Sequence, residues 1–324
     1  IVTSLDLLLD RSRACDLDRD KNLTNGMLRA ARRLIRFRHP STSQTTLALH
    51  QHESDPSCTP VEGDVFCPDS LTPTGETILL KDIDHLLAPI TPPLIIGTGL
   101  NYHKHAVECN LPPPDYPILA FFKSRQSIQH PGLPITIPSC CTDEIDWEVE
   151  LAVVLKKDCK NCTLDNAMSH VLGYTVANDI SARNWQTTTH AGQWNFGKGM
   201  DHFCPLGPAM VLHEDTSSFD PHDLDTSSFD PHDLDIVLRV NGETKQKSRT
   251  NDMIHQIPAI LVSLSKGTTL EKGTVVLTGT PEGIGHFADP PTYLQVGDVV
   301  TATIEDIGTL ENTIVAEKEW KVET

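Results

Sequence analysis

Apolar and polar positions alternate with a period of two along Asp146-Trp147-Glu148-Val149-Glu150-Leu151-Ala152-Val153-Val154-Leu155, which predicts a β-strand. Trp147, Val149, Leu151 and Val153 fall on one face, while Glu148 and Glu150 share the other. Carboxylates two residues apart on a strand stand ~6.6 Å from each other. Both can reach one cation, and they repel if none lies between them. Taken alone, the stretch reads more simply as a half-exposed strand whose polar face meets water.

The same patterning organises the rest of the chain. Leu34-Ile35-Arg36-Phe37 and Thr46-Leu47-Ala48-Leu49 predict short strands, followed by a Pro-, Ser-, Asp- and Cys-rich loop from about Glu53 to Pro73. Prolines between Pro89 and Pro93 mark a boundary before the apolar Leu94-Ile95-Ile96. A Gly turn then leads into a short helix with Asn101 as N-cap. Pro117 to Lys123 predicts a strand, Thr163 to Leu172 a helix closed by Gly173, and Tyr174 to Ala177 a strand ending at Asn178-Asp179. Asn241-Gly242 is the sharpest hairpin signal, and Ile257 to Ser265 reads as a helix with Pro258 in its first turn. Thr274 to Leu277 is a buried-strand run, and two more strands close the chain between Val296 and Val315. The expected division is a small N-terminal region over 1–90, with 1–26 a leader or disordered segment, and a larger domain over 91–324.

Composition narrows the function. With 26 basic against 44 acidic residues, the net charge of −18 argues against a nucleic-acid or membrane-surface partner, because the overall field repels phosphates. Nine cysteines include one Cys159-Lys160-Asn161-Cys162 motif with no second CxxC to complete a zinc site, so reduced thiols and an intracellular compartment are expected.

Several residues carry candidate chemistry. His105 and Glu108, three apart on a predicted helix, share a face, so the carboxylate can orient the imidazole; an exposed polar face is the simpler alternative. Glu148, Glu150 and Asp179 form an all-oxygen set suited to Mg²⁺ or Mn²⁺, and the lack of Cys or His in it argues against zinc. Lys123 ends an apolar strand, where solvation of a lone lysine is the default. Lys198 sits in a Gly/Pro-punctuated loop and has an electrostatic reason to approach three carboxylates. Thr280, within Thr278-Gly279-Thr280-Pro281-Glu282-Gly283-Ile284-Gly285, offers a hydroxyl in a turn that lacks the ending of a phosphate loop. Asp215 to Leu224 recurs unchanged at 225–234 and reads as a lengthened surface loop.

In order, GLNYHKHAVE, DWEVELAVVL, GYTVANDISARNWQ, FGKGMDHFCPLGP, VNGE and LTGTPEGIG resemble the fumarylacetoacetate hydrolase (FAH) superfamily, most closely its FAH-domain-containing-2-like branch, from about Ile95 to Val315. The resemblance implies an α+β fold, mainly β: a mixed β-sheet roll with short helices behind a small N-terminal domain. It places the metal ligands on Glu148, Glu150 and Asp179, the catalytic residues on His105, Glu108 and Lys198, and substrate contacts on Tyr102, Lys123, Arg183, Gln186 and Thr280. It further implies Mg²⁺, with Mn²⁺ or Ca²⁺ as substitutes, a keto acid or 1,3-dicarbonyl substrate, a homodimer, and a cytoplasmic or mitochondrial location. The implied activity is C–C hydrolysis of an acylpyruvate, with His105 activating water and Lys198 and Gln186 stabilising the oxyanion. Oxaloacetate-type decarboxylation and keto–enol tautomerisation on the same site are the alternatives, and a non-catalytic binding protein is a third. Asn184 and Gly199-Met200, where the family often has Asp and Ser-Phe, bear on substrate choice.

Overall fold

A computed structural model describes residues 33–141, 143–189, 192–213 and 229–317, so the leader expected over 1–26 and the first copy of the repeat lie outside the described residues. The main strands are β1 (Arg33–Arg38), β2 (Thr45–Leu49), β3 (Ser57–Glu62), β4 (Ile95–Gly99), β5 (Ile118–Lys123), β6 (Ile135–Ile137), β7 (Val149–Leu155), β8 (Val171–Asn178), β9 (Cys204–Leu212), β10 (Asp235–Val240), β11 (Glu243–Arg249), β12 (Val275–Leu277), β13 (Val299–Ile304) and β14 (Gly308–Ala316). Among the described residues three short α-helices accompany them: α1 (His103–Glu108), α2 (Trp194–Lys198) and α3 (Ile257–Ser265). The fold is α+β and mainly β, as expected.

The main strands of one 13-stranded sheet run β3-β2-β1-β9-β8-β7-β12-β4-β5, and a 5-stranded sheet runs β6-β14-β13-β10-β11. Strand β7 lies at the centre of the large sheet, so the expectation of a half-exposed strand fails: all seven of its residues are buried. Its two faces serve two cores. Val149, Leu151, Val153 and Leu155 pack with Ile236, Leu238, Val300, Ile304 and Ile314 of the smaller sheet, while Ala152 and Val154 pack on the other side with Leu34, Ile95, Phe121 and Val275. Glu148 and Glu150 continue this second face past the end of the apolar run. Helix α3 buries Ile257, Ile260, Leu261 and Leu264, the spacing of one helical face, against the first core.

Several local expectations are corrected. The helix expected over 163–172 is a single 3₁₀ turn, Ala167–His170, and Val171 already begins β8. Gly173 is no helix stop: a Cβ there would meet the Val211 carbonyl oxygen at 2.4 Å, so it permits close approach of β9. Tyr102, not Asn101, takes the N-cap position of α1, because the Asn101 amide is committed to the carbonyls of His255 at 2.9 Å and Thr278 at 2.8 Å. Cys67, in the long N-terminal loop, is disulfide-bonded, against the expectation of reduced thiols throughout. The end of the second repeat copy also departs from a solvated loop. Phe229 and Leu234 pack on the core, and Asp233 accepts from Arg249 Nε at 3.0 Å.

Candidate metal and proton-transfer site

Strand ends bring the acidic residues together. Glu148 precedes β7, Glu150 lies inside it, and Asp179 follows the adjacent β8; the Asp179 N–H donates to the Glu148 carbonyl at 2.8 Å, locking the two strand ends. One oxygen from each of Glu148, Glu150 and Asp179 lies within 4.8 Å of the others, and all three residues are buried.

Three cations surround this set. Lys198, at the end of α2, places Nζ 3.0 Å from Glu148 Oε2, 2.6 Å from Asp179 Oδ2 and 2.7 Å from Ser181 Oγ. An ammonium has three donors, so all are engaged. Lys123 is buried rather than solvated. Its Nζ pairs with Asp179 Oδ1 at 2.6 Å and donates to the carbonyls of Ile180, Phe203 and Lys198. Arg183 Nη2 bridges Asp146 Oδ2 at 2.8 Å and Glu148 Oε1 at 2.7 Å, and its Nη1 donates to Gln186 Oε1 at 2.9 Å. Gln186 thereby turns its carbonyl to Arg183 and its amide NH₂ away. It rides on a one-turn π-helix, Trp185–Thr189, against which α2 packs so closely that a Cβ on Gly197 would lie 2.7 Å from the Gln186 nitrogen.

Charge is unequally shared. Glu148 is pushed up by burial, but the Lys198 and Arg183 charges outweigh this and hold it well below the carboxylate range. Glu150 accepts from the Gly279 N–H at 2.6 Å and makes no ion pair among the described residues. Burial, then repulsion from Asp179 and Glu148, holds its carboxyl far above the usual range. Burial likewise raises Asp179, against the pull of Lys123 and Lys198. The donor set fits a hard divalent cation: three converging carboxylates, one of them with no counter-charge.

The dyad forms as expected. His105 Nδ1 lies 2.7 Å from Glu108 Oε2, and Glu108 Oε1 accepts from the Gly283 N–H at 2.9 Å. Burial alone would lower the His105 pKa; hydrogen bonds between the imidazole and the Cys109 and Glu108 side chains more than reverse this and raise it to about 9. The Phe287 ring stands edge-on to the imidazole at 6.3 Å.

Two expected substrate contacts are otherwise placed. The Thr280 hydroxyl donates to the Val149 carbonyl at 3.0 Å and accepts from Gln246 Nε2 at 2.8 Å, so it ties the Gly-rich turn to β7. Tyr102 is fully buried, and its hydroxyl has no hydrogen-bond partner among the described residues. Sequence reasoning assigned no role to Asp146, Ser181 or Gln246. Asp146 anchors Arg183 and accepts from the N–H groups of Gly285 at 2.8 Å and His286 at 3.0 Å. Its place at the head of the Glu-Val-Glu strand was the available signal. Gln246 lies in a strand that reads as wholly polar and offered none.

Comparison with known proteins agrees with this architecture. A family model described as fumarylacetoacetate (FAA) hydrolase C-terminal matches residues 94–315, and one described as Rv2993c-like, N-terminal matches residues 32–89. Oxaloacetate tautomerase fahd2, mitochondrial, of Xenopus laevis is 45% identical over 243 residues, spanning 75% of this chain and 72% of the relative. Oxaloacetate tautomerase FAHD2B, mitochondrial, of Homo sapiens is 43% identical over 230 residues, 71% and 69% of the two chains. The crystal structure of 5-carboxymethyl-2-hydroxymuconate delta-isomerase from Mycobacterium smegmatis superposes with a TM-score of 0.73 at 34% identity, covering 88% of this chain and all of that one.

Proposed function

The chain belongs to the fumarylacetoacetate hydrolase family, and we propose that within it the protein is a divalent-cation-dependent keto–enol tautomerase of oxaloacetate-type 2-oxo acids. Buried charge supports the cofactor. Four carboxylates, Asp146, Glu148, Glu150 and Asp179, face three cations, Lys123, Arg183 and Lys198, and Glu150 is the one left unpaired. Glu148, Glu150 and Asp179 would hold Mg²⁺, with Mn²⁺ or Ca²⁺ as substitutes. Such an ion supplies positive charge that acidifies the carbon between two chelating carbonyl groups.

The observation that carries the choice of reaction is His105. With its pKa raised to about 9, it keeps its proton at neutral pH in the metal-free protein. A hydrolytic base must be unprotonated before it acts, whereas keto–enol exchange can start from the protonated group, which serves as donor in ketonisation and as base in the reverse step. In ketonisation His105 gives its proton to the enol carbon while the proton leaving the enol oxygen passes through water back to the imidazole. In enolisation the imidazole takes the carbon-bound proton and the oxygen is protonated, so the proton count closes. No co-reactant is needed. Glu108 holds the imidazolium in place, and the Gly283 N–H holds Glu108. The relatives' names as oxaloacetate tautomerases support the substrate class, and their mitochondrial designation supports a mitochondrial location. A homodimer completes the reading, checked by light scattering in solution.

Hydrolysis of acylpyruvates is the second reading, favoured by the His–Glu geometry itself. ¹H NMR of oxaloacetate and acetylpyruvate with Mg²⁺ separates them, and it also reports decarboxylation through the appearance of pyruvate. We expect accelerated enol–keto exchange of oxaloacetate, reduced ~10²–10⁴-fold in His105→Ala, the usual contribution of a positioned acid–base group, with Mn²⁺ binding retained. Cleavage of acetylpyruvate that outpaces tautomer exchange would replace tautomerase by hydrolase.

A further inference from the structure

We infer that Gln246, buried in β11 of the smaller sheet, is a positioning residue that holds the metal half and the proton-transfer half of the site in one register, acting through the Gly-rich turn. The inference rests on the reading of Glu150 as a cation ligand and of His105 and Glu108 as the proton-transfer dyad. The ladder between β7 and β12 stops at the Ala152–Leu277 pair. Beyond it the backbone of β7 needs other partners. Thr278 donates its N–H at 3.2 Å and its hydroxyl at 2.8 Å to the Leu151 carbonyl, and Gln246 serves the next residue, Val149.

Both N–H groups and the carbonyl of the Gln246 amide are engaged. Its Oε1 accepts from the Val149 N–H at 3.0 Å, while its Nε2 donates to Thr280 Oγ1 and to the Pro281 carbonyl, both at 2.8 Å. The Thr280 hydroxyl in turn donates to the Val149 carbonyl at 3.0 Å. The three groups close a ring, and both backbone groups of Val149 belong to it. Val149 is the residue between Glu148 and Glu150, so the ring fixes the backbone from which both carboxylates leave.

The turn is gripped between its two donors. The Gly279 N–H reaches Glu150 Oε2 at 2.6 Å, and the Gly283 N–H reaches Glu108 Oε1 at 2.9 Å. Thr280 and Pro281, the residues held by Gln246, lie between them in the chain. The backbone of β11 adds to the grip. Leu238 pairs with Gln246 and Arg239 with Thr244, which leaves Lys245 without a partner in β10. At this irregularity a Cβ on Gly283 would lie 2.1 Å from the Lys245 carbonyl oxygen. Gln246 has no exposed surface, so bonds lost there leave buried groups unpaired and the turn must shift to satisfy them.

The test uses Gln246→Met, which removes all three bonds, and Gln246→Glu, which keeps the shape but cannot donate to Thr280 and the Pro281 carbonyl together. Leu310→Ala, a cavity in the smaller sheet, is the control for lost stability alone. Calorimetric titration of the full chain should show Mn²⁺ affinity ~10–100-fold weaker in both Gln246 variants, the usual loss when the support behind a metal ligand is removed. NMR titration of His105 in the metal-free protein should give a lower pKa in both, because Glu108 loses the donor that holds it against the imidazole. Leu310→Ala should match the unmodified protein in both measurements. Unchanged Mn²⁺ affinity or an unchanged His105 titration in the Gln246 variants, or equal changes in Leu310→Ala, overturns the inference. Mn²⁺ binding by the unmodified protein tests the cation reading by itself, and the identity of the catalysed reaction enters neither measurement.

Discussion

Lys198 Nζ and Asp179 Oδ2 lie 2.6 Å apart with both side chains sealed from solvent. The pair holds together one flank of the carboxylate set: without the ammonium, three buried carboxylates face only Lys123 and Arg183. Breaking a buried ion pair by removing one partner costs roughly 3–5 kcal/mol. Lys198→Met should therefore lose about that much stability in EDTA, and added Mg²⁺ should recover more melting temperature than it adds to the unmodified protein. Urea denaturation with and without Mg²⁺ checks both; an unaltered midpoint in EDTA counts against the pairing.

Glu150 predicts the opposite trade. Its folded-state pKa is raised by burial and by Asp179 and Glu148, so the native state favours the protonated form. The contribution is favourable at low pH and is lost as pH rises through the folded value. Glu150→Gln should thus melt higher than the unmodified protein at neutral pH in EDTA, yet bind Mn²⁺ far more weakly. Calorimetric titration showing unchanged Mn²⁺ affinity would remove Glu150 from the ligand set.

His105 sets a pH window. Its ordinary value of 6.5 rises to about 9 on folding, so its stabilising contribution is whole below pH 6.5 and disappears as pH climbs through 9. At ~1.4 kcal/mol per pH unit, the difference is roughly 3 kcal/mol. Stability of the metal-free protein minus that of His105→Gln should shrink over this window by that order; a pH-independent difference would show that the proton is not held by the fold.

The repeat makes a test of unusual cleanness, since removing 215–224 or 225–234 yields the same sequence. The anchors survive either deletion: Phe229 on the core, His232 Nε2 accepting from the Ile257 N–H at 3.3 Å, and Leu234 donating its N–H to Thr250 Oγ1 at 2.9 Å. Halving the insertion changes closure entropy by only ~0.6 kcal/mol. Stability should stay within about 1 kcal/mol by chemical denaturation, and a larger loss would assign the first copy a packing role.

Local signals proved readable where they depend on few neighbours. Asn241 and Gly242 adopt φ of 51° and 81°, the left-handed pair their hairpin demands, and α3 begins and ends where its apolar spacing does. The three carboxylates, too, were legible, because strand alternation puts Glu148 and Glu150 on one side. What sequence spacing could not convey is who neutralises them. Lys123 reads as a surface lysine until β5 is seen beside β4 and Asp179 is found at its tip. Gln246 sits in a strand of polar residues, and only the packed second sheet shows it fully buried, with its carbonyl accepting from the Val149 N–H at 3.0 Å. Gly173 misled because close strand approach and helix termination call for the same residue.

The Gly279 N–H on Glu150 joins residues 129 apart in the chain, and the Gly283 N–H on Glu108 joins residues 175 apart. A polypeptide leaving the ribosome from its N-terminus therefore carries every acidic ligand long before it carries the backbone donors that orient them. Such distant closures form late, because the entropy of the intervening loop is spent before the contact repays it. Synthesis itself then imposes an order: the nascent chain remains chemically inert through most of its emergence, and competence arrives only when the Gly-rich turn threads between β7 and α1.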